Sequence, residues 1–390
     1  MKRPAFEGEG QSTPLPITWN RLQYTSGKNE MIDVNPTLNI QSGEITMKEF
    51  IRLMQKTDSV SAREIFGGDP FEFNNAVKHF LLKEGIDEKY KELFSSFPNC
   101  LPSDTLYINV DKEAVRRSGM MIPFDSIPDR MEISLAGQSR ITKSFMMMLE
   151  IIAQSNFSRP IYMSTTVGAS NYGNLYRHFI LEGLAWRISP FTFAQNSPYM
   201  DTVVDTDKQY DNMMNKFHYG NLSQPDLYID ETTERMCFTH RRWFAALATN
   251  LVAEGKKDSA LKVLDRCEKE IPSYNVAHNA SSGSLEIAAS YVKCGKPEKA
   301  AVILDAVEKR SEEYAGWYIA LQPNRFRANV RDCSHELGVI YSVQKTYQEL
   351  GERGGQYAKY GNKSKQLDKK LDELYQLFVA KCAAAGVEPK

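Results

Sequence analysis

The sequence has almost no excess of either charge, and it has no long apolar run. Its 48 Lys and Arg residues and 49 Asp and Glu residues give a formal net charge of −1. Nucleic-acid-binding proteins usually carry a clear basic excess, so we do not expect that function. A membrane-spanning helix needs roughly 20 apolar residues, whereas the longest candidate, residues 145–153, is short and contains Glu150. Lys2 and Arg3 are not followed by an apolar stretch, so no secretory signal is predicted there.

The spacings that are typical of metal and catalytic sites are also missing. None of the six cysteines is in a C-x-x-C pair, and none of the six histidines is in an H-E-x-x-H motif. The order of residues assigns no Ser/His/Asp or Cys/His catalytic set. We therefore predict buried free thiols, with no metal ion, no cofactor and no catalytic residue.

The length of 390 residues, of which 42% are hydrophobic, predicts two or three domains with substantial cores. The predicted fold class is α+β, an N-terminal mixed α/β region followed by all-α helical hairpins. Residues 1–100 should form an extended N-terminal segment with short helices. Residues 101–234 should form a small α/β layer, and residues 235–390 a helical repeat domain of the tetratricopeptide type.

Strand-like and helical segments alternate in the predicted α/β layer. Residues 105–110 alternate apolar and polar positions, which predicts a strand, and Asp111 should cap a short helix after it. Further strands are predicted at residues 131–135 and 160–167, and residues 181–188 look like a fourth strand or a strand–helix edge. Residues 141–153 should form an apolar helix. The alternation of strands and helices favours some parallel pairing.

The last part of the chain repeats a pattern of paired helices. In each unit apolar residues form one helix face, a glycine ends that helix, and a small residue lies where the next helix crosses it. Ala260 and Ala300 are equivalent, so the period is 40 residues, against about 34 in a standard tetratricopeptide unit, and we expect an insertion at residues 274–283. A generic helical bundle is the alternative. The two units are defined by Phe244, Leu247, Ala248, Leu251, Gly255, Ala260, Leu264 and Pro272, and by Ile287, Ala288, Tyr291, Gly295, Ala300 and Leu304.

Five residues are candidates for binding rather than for catalysis. Arg159, Tyr172, Glu182 and Arg187 lie in a segment rich in aromatic and charged residues, which would suit a sugar, and core packing is the alternative interpretation. Trp317 is a candidate for an exposed aromatic residue on the repeat domain. Because helical repeats bind extended peptides on a concave face, we expect a protein partner or an acceptor polypeptide.

Residues 158–190 resemble a signature of large Bacteroidetes membrane proteins with many membrane spans. The segment contains Ser-Arg-Pro-Ile-Tyr-Met-Ser-Thr-Thr-Val-Gly, then Asn-Tyr, then Leu-Glu-Gly-Leu-Ala-Trp-Arg-Ile-Ser-Pro. Residues 210–217, 226–231 and 253–267 are similar to further segments of that family. Its members carry a domain of unknown function and resemble protein O-mannosyltransferase-like glycosyltransferases of the GT-C type.

The resemblance implies that this chain corresponds to the region after the membrane-spanning part, at the periplasmic face of the inner membrane. The catalytic acid and the lipid-sugar donor site are expected in the membrane part. The implied function is that of a non-catalytic accessory or scaffolding domain. Its partners would be a protein or acceptor polypeptide and the membrane-spanning domain of the same or a neighbouring gene product. Two alternatives stay open: a stand-alone glycan-acting enzyme or glycan-binding protein with its site at residues 159–190, and a cytoplasmic tetratricopeptide adaptor.

Five Asp-Ser/Thr-apolar tripeptides look like the acceptor motif of Bacteroidetes O-glycosylation. Asp-Ser is common at turns and helix starts, and Asp258 is predicted to cap a helix, so a local structural role is the favoured interpretation. The tripeptides are residues 58–60, 104–106, 125–127, 201–203 and 258–260.

Overall fold

The computed structural model describes residues 31–40, 43–57, 62–197 and 202–389. The predictions for residues 1–30, for the tripeptide at 58–60 and for Asp201 lie outside these residues. The fold class is α+β, as predicted. One compact unit contains the described residues up to 181 together with 185–203, and a second contains residues 182–184 and those from 204 onward. The predicted boundaries near residues 100 and 234 stay predictions.

Short strands and helices make up most of the first unit. Among the described residues, the strands are β1 Met31–Val34, β2 Thr37–Ile40, β3 Gly43–Thr46, β4 Cys100–Leu101, β5 Thr105–Asn109, β6 Arg130–Ser134, β7 Arg140–Thr142, β8 Tyr162–Ser164, β9 Phe179–Leu181, β10 Ala185–Ile188 and β11 Val203–Val204. The α-helices in the described part of the first unit are α1 Met47–Thr57, α2 Ala62–Phe66, α3 Phe73–Ala76, α4 Glu88–Ser95, α5 Lys112–Arg117 and α6 Lys143–Ser155, with a π-helical turn at Val77–Leu81.

Strand pairing in the first unit is mainly antiparallel. β2 pairs with β3, β5 with β6, and β10 lies between β9 and β8, antiparallel to both. β1 pairs in parallel with β4 and antiparallel with β7, so the expected parallel pairing is limited to one short pair of the named strands. Residues 181–188, predicted as a fourth strand or a strand–helix edge, contain the end of β9 and all of β10. They are not one continuous strand, because Gly183, at φ +94°, turns the chain between β9 and β10. The apolar pattern continues through this turn and therefore hides it.

Local capping rules explain where several helices begin. Asp111 accepts hydrogen bonds from the N–H groups of Glu113 and Ala114, both at 3.0 Å, as predicted. Thr46 and Glu49 form a reciprocal capping box at α1, with N–H···O distances of 3.3 and 3.1 Å. The capping role predicted for Asp258 is wrong. Its helix begins at Lys257, so Asp258 lies inside the first turn. There its negative charge interacts favourably with the positive end of the helix dipole.

The described part of the second unit is almost wholly helical, and its longer helices pack as hairpins. The helices are α7 Thr206–Asp211, α8 Glu231–Ala253, α9 Lys257–Glu270, α10 Ser284–Lys293, α11 Pro297–Ala320, α12 Pro323–Gly351 and α13 Ala358–Ala385. α8 packs on α9, α10 on α11 and α12 on α13, and α10 also contacts α8. Gly255 and Gly295, at φ +77° and +76°, let the chain reverse in the first two hairpins.

Small residues allow the paired helices to cross closely. Ala260 and Ala300 are both fully buried. A larger side chain at either position would push the paired helices apart. The apolar side chains predicted for these two hairpins are buried as well: Phe244, Leu247, Ala248, Leu251, Leu264, Ile287, Ala288, Tyr291 and Leu304. The core of the second unit therefore lies along the predicted helix faces.

A loop between α9 and α10, residues 271–283, accounts for the long repeat period. Arg241 of α8 is fully buried and points its guanidinium at this loop. It donates hydrogen bonds to the carbonyl oxygens of Ile271, Val276 and Ala277, at 3.0, 2.7 and 3.1 Å. A buried charge requires such partners, so Arg241 and the loop stabilise each other.

Candidate functional site

Among residues 31–40, 43–57, 62–197 and 202–389, no group of three or more His, Cys, Asp or Glu side chains is placed to hold a metal ion. Within the same ranges, no helix is both long and apolar enough to cross a membrane.

Tyr172 and Arg187, two of the predicted binding residues, lie in the core of the first unit. The Tyr172 ring packs against the rings of Phe179 and Trp186, with centroids 5.2 and 6.0 Å away. Arg187 is 2% exposed and donates from Nη2 to the carbonyl oxygen of Ser118 at 2.8 Å. Arg159, in contrast, is exposed. The fold thus covers two of these side chains, and a ligand-binding role for all three stays a prediction.

Glu182, the fourth predicted residue, belongs to the second unit and is used there in an ion pair. Its side chain is 3% exposed, and Oε1 lies 2.9 Å from Nζ of Lys208. The same ammonium lies 3.2 Å from Asp205, which also caps α7. Next to Glu182, the N–H of Gly183 donates to Oε1 of Gln209. These contacts hold residues 182–184 against α7.

Exposed aromatic side chains lie on the last half of α11. This helix has 24 residues and α10 has 10, which correspond to about 36 Å and 15 Å. Because the two helices are joined at residues 294–296, α10 can cover only about the first half of α11. Ile303 and Val307 are buried on the covered stripe. Beyond it the same stripe continues with Tyr314, Trp317 and Tyr318, which we call the aromatic row.

The aromatic row combines ring surface with charge. Tyr314 is 40% exposed and Trp317 56% exposed. The Arg310 guanidinium lies over the Tyr314 ring, 5.1 Å from its centroid, and the rings of Trp317 and Tyr318 meet edge to face at 5.0 Å. Burial raises the pKa of Tyr318, and the Asp332 carboxylate on α12 adds to this rise. Exposed Trp, Tyr and Arg are the residue types that dominate binding energy at protein interfaces.

A cavity of about 250 Å³ lies where α11, α12 and α13 meet. Several of the polar side chains that line it bond to one another. The rings of Tyr347 and Tyr360 stack with centroids 5.9 Å apart. Asp305 accepts a hydrogen bond from the Tyr347 hydroxyl and pairs with Lys363. Burial raises the pKa of Tyr347, and its bond to Asp305 acts in the same direction. We interpret this cluster as the joint that fixes α13 to α11.

Sequence reasoning predicted Trp317 as an exposed aromatic residue but missed Tyr314 and Tyr318. The sequence does contain a signal for these two residues, because both continue the helix face of the buried Val307 at helical spacing. Tyr314 is exposed and Tyr318 is partly buried. How accessible they are depends on how far α10 extends along α11, which no local pattern reveals.

The comparisons with known proteins identify the first half of the chain. The model of the family described as TMEM260-associated domain 2 matches residues 1–208 of the 390. No curated protein matches the chain, and no solved structure matches it. The match includes the first unit and ends inside α7, before the helical hairpins begin. Since it covers more than half of the chain, this protein belongs to the TMEM260-associated domain 2 family.

Proposed function

We propose that this chain is a non-catalytic accessory or scaffolding domain that holds a protein partner, or an acceptor polypeptide, through its helical repeats. The observation that carries the proposal is the aromatic row, exposed where α11 extends beyond α10. Tyr314 and Trp317 are exposed and the Arg310 guanidinium lies over the Tyr314 ring, a composition found at interface hot spots. A family described as a domain associated with another protein supports an accessory role.

The partner that we propose is the membrane-spanning part of a glycosyltransferase-like protein, encoded in the same or a neighbouring gene, with the chain at the periplasmic face of the inner membrane. The support is the resemblance of residues 158–190 to Bacteroidetes membrane proteins of the GT-C type. The family match over residues 1–208 includes that segment.

Affinity capture from a detergent-solubilised envelope lysate tests this function. The bait is the full chain, compared with a double variant, Tyr314→Ala with Trp317→Ala, and with Tyr375→Ala as a matched control. Tyr375 is an equally exposed tyrosine, but it lies on α13. We expect the chain and the control to retain one multi-spanning protein, identified by mass spectrometry, and the double variant to retain at least tenfold less. Equal retention by all three baits, or no such protein above background, would overturn the proposal.

A further inference from the structure

The aromatic row contains one ring that is occupied by a cation and one that is open. The Arg310 guanidinium lies over the Tyr314 ring, 5.1 Å from its centroid, and its Nη2 is 3.4 Å from the Tyr314 hydroxyl. Among the described residues, no Lys or Arg takes the same position over the Trp317 ring, which is 56% exposed. Tryptophan is the aromatic side chain that attracts a cation most strongly. The row therefore leaves its best cation-binding surface open.

Three carboxylates near the row have no ion-pair partner in the part of the chain that the structure describes. Glu313 precedes Trp317 by one turn of α11, and Asp332 and Glu336 are one turn apart on α12. Glu312 gives the contrast, because a lysine of α13 pairs with it. Unpaired negative charges beside an exposed ring favour a cationic ligand and disfavour an anionic one.

The packing of α12 on α11 places the α12 carboxylates close to the row. The Cys333 Sγ lies 3.9 Å from the carbonyl oxygen of Ala315, so Asp332 is level with the last turns of α11. Burial raises the pKa of Tyr318, and the two carboxylates of α12 add to this rise, as negative charges near a phenol hydroxyl do. Tyr318 in turn meets Trp317 edge to face, with ring centroids 5.0 Å apart. A cation on the Trp317 ring would therefore lie near these carboxylates.

We propose that the aromatic row binds a basic side chain of the partner polypeptide, an arginine rather than a lysine, with its guanidinium stacked on the Trp317 ring near Glu313, Asp332 and Glu336. This inference rests on the proposed function and specifies the chemistry of the bound segment. Arginine is favoured because its planar, weakly hydrated guanidinium stacks on aromatic rings, as Arg310 already does on α11. The ring contact supplies most of the affinity, and the carboxylates select the sign of the charge.

Nuclear magnetic resonance on the full chain, labelled with ¹⁵N at tryptophan only, tests the proposal. The chain has four tryptophans, and Trp317→Phe assigns the Trp317 indole signal. The ligand is the tripeptide Gly-Arg-Gly, blocked at both ends and titrated to about 20 mM, which suits a contact of this strength. It should shift the Trp317 signal in a saturable way. The same peptide with citrulline, which has the shape of arginine without its charge, should bind at least fivefold more weakly.

The role of the carboxylates is tested by neutral variants of similar size. Asp332→Asn with Glu336→Gln should weaken binding of the arginine peptide at least threefold. Asp372→Asn with Glu373→Gln, the matched pair at exposed positions of α13, should have no effect. Unchanged signals of the buried Trp243 will show that each variant is folded. For the parent chain, 0.5 M NaCl should weaken binding by less than threefold, because the ring contact is only weakly screened.

Three results would overturn the arginine assignment: no shift of the Trp317 signal by the arginine peptide, equal affinity for the arginine and citrulline peptides, or equal effects of the two acid pairs. A shift of this signal by the neutral trisaccharide maltotriose, without one by the arginine peptide, would reassign the ring to sugars. If the envelope partner is still captured through the aromatic row while the arginine peptide fails to bind, this inference fails alone and the proposed function stands.

Discussion

Arg241 and His178 are polar side chains that the fold buries with different partners. The guanidinium of Arg241 donates to three backbone carbonyls of the loop at residues 271–283. The imidazole of His178 has a carbonyl partner at Phe191, 2.8 Å from Nδ1, and burial lowers its pKa to about 4. It is therefore neutral at pH 7. The two side chains predict different effects on the stability of the protein.

Replacing Arg241 by Lys should destabilise the protein by about 3 kcal/mol, since one ammonium cannot reproduce the planar fork that reaches three carbonyls. Urea unfolding of the full chain gives this number. The loop at residues 271–283 should also become more sensitive to limited proteolysis. Arg235→Lys on the same helix is the matched control. Its side chain is 73% exposed, so its effect should stay within about 0.5 kcal/mol. A similar cost for both variants would show that Arg241 does not hold the loop.

Acid should weaken the protein partly through His178. The unfolded state takes up a proton near the ordinary pKa of 6.5, whereas the folded state resists protonation until about 4. The free energy of unfolding should therefore fall as the pH drops from 6.5 to 4, by up to about 3 kcal/mol for this group. Burial also lowers the pKa of His79 and His240, so the relevant quantity is the difference between the parent and His178→Gln. Unfolding in urea from pH 7.5 to 4.5 should show a shallower slope for the variant, and identical slopes would contradict the assignment.

At the scale of helices and strands, the sequence predicts those features that depend on neighbouring residues. The strand at β5, the cap at Asp111 and the glycine turns at Gly255 and Gly295 depend on neighbouring residues only, and the structure has them all. The parallel pair of β1 and β4 joins segments that are far apart in the sequence, and no local pattern specifies such a contact. Of the candidate site, the sequence indicated Trp317 but not Tyr314 or Tyr318, whose accessibility depends on how far α10 extends along α11.

The crossing of α12 and α13 predicts an asymmetry between two glycines. A Cβ on Gly351 would overlap the Gly361 backbone, whereas a Cβ on Gly361 would lie 3.5 Å from the Gly351 Cα, an ordinary contact. Gly351→Ala should therefore cost about 2 kcal/mol through forced separation of the helices. Gly361→Ala should be neutral or stabilising by up to about 1 kcal/mol, through its better helix propensity. Chemical denaturation of the full chain measures both, and equal effects of the two substitutions would argue against a close crossing.

At the scale of the whole molecule, the family assignment and the proposed binding surfaces fall on different parts of the chain. The matched region ends at residue 208, whereas the aromatic row lies on α11. The sequence predicted both an α/β region and a repeat region. It could not rank them as binding surfaces, because Tyr172 and Arg187 have the composition of a binding site and are buried in a core.

This separation predicts that partner capture depends on the second unit and not on exposed residues of the first. Arg159→Ala with Tyr162→Ala removes two exposed side chains within residues 158–190 and should leave capture of the envelope protein unchanged. The double variant of the aromatic row should reduce it at least tenfold. Because ring contacts are screened far less than ion pairs, capture by the parent chain should persist in 0.5 M NaCl. Loss of capture with the Arg159 variant would instead place the contact on the first unit, and loss in high salt would show that the contact is ionic.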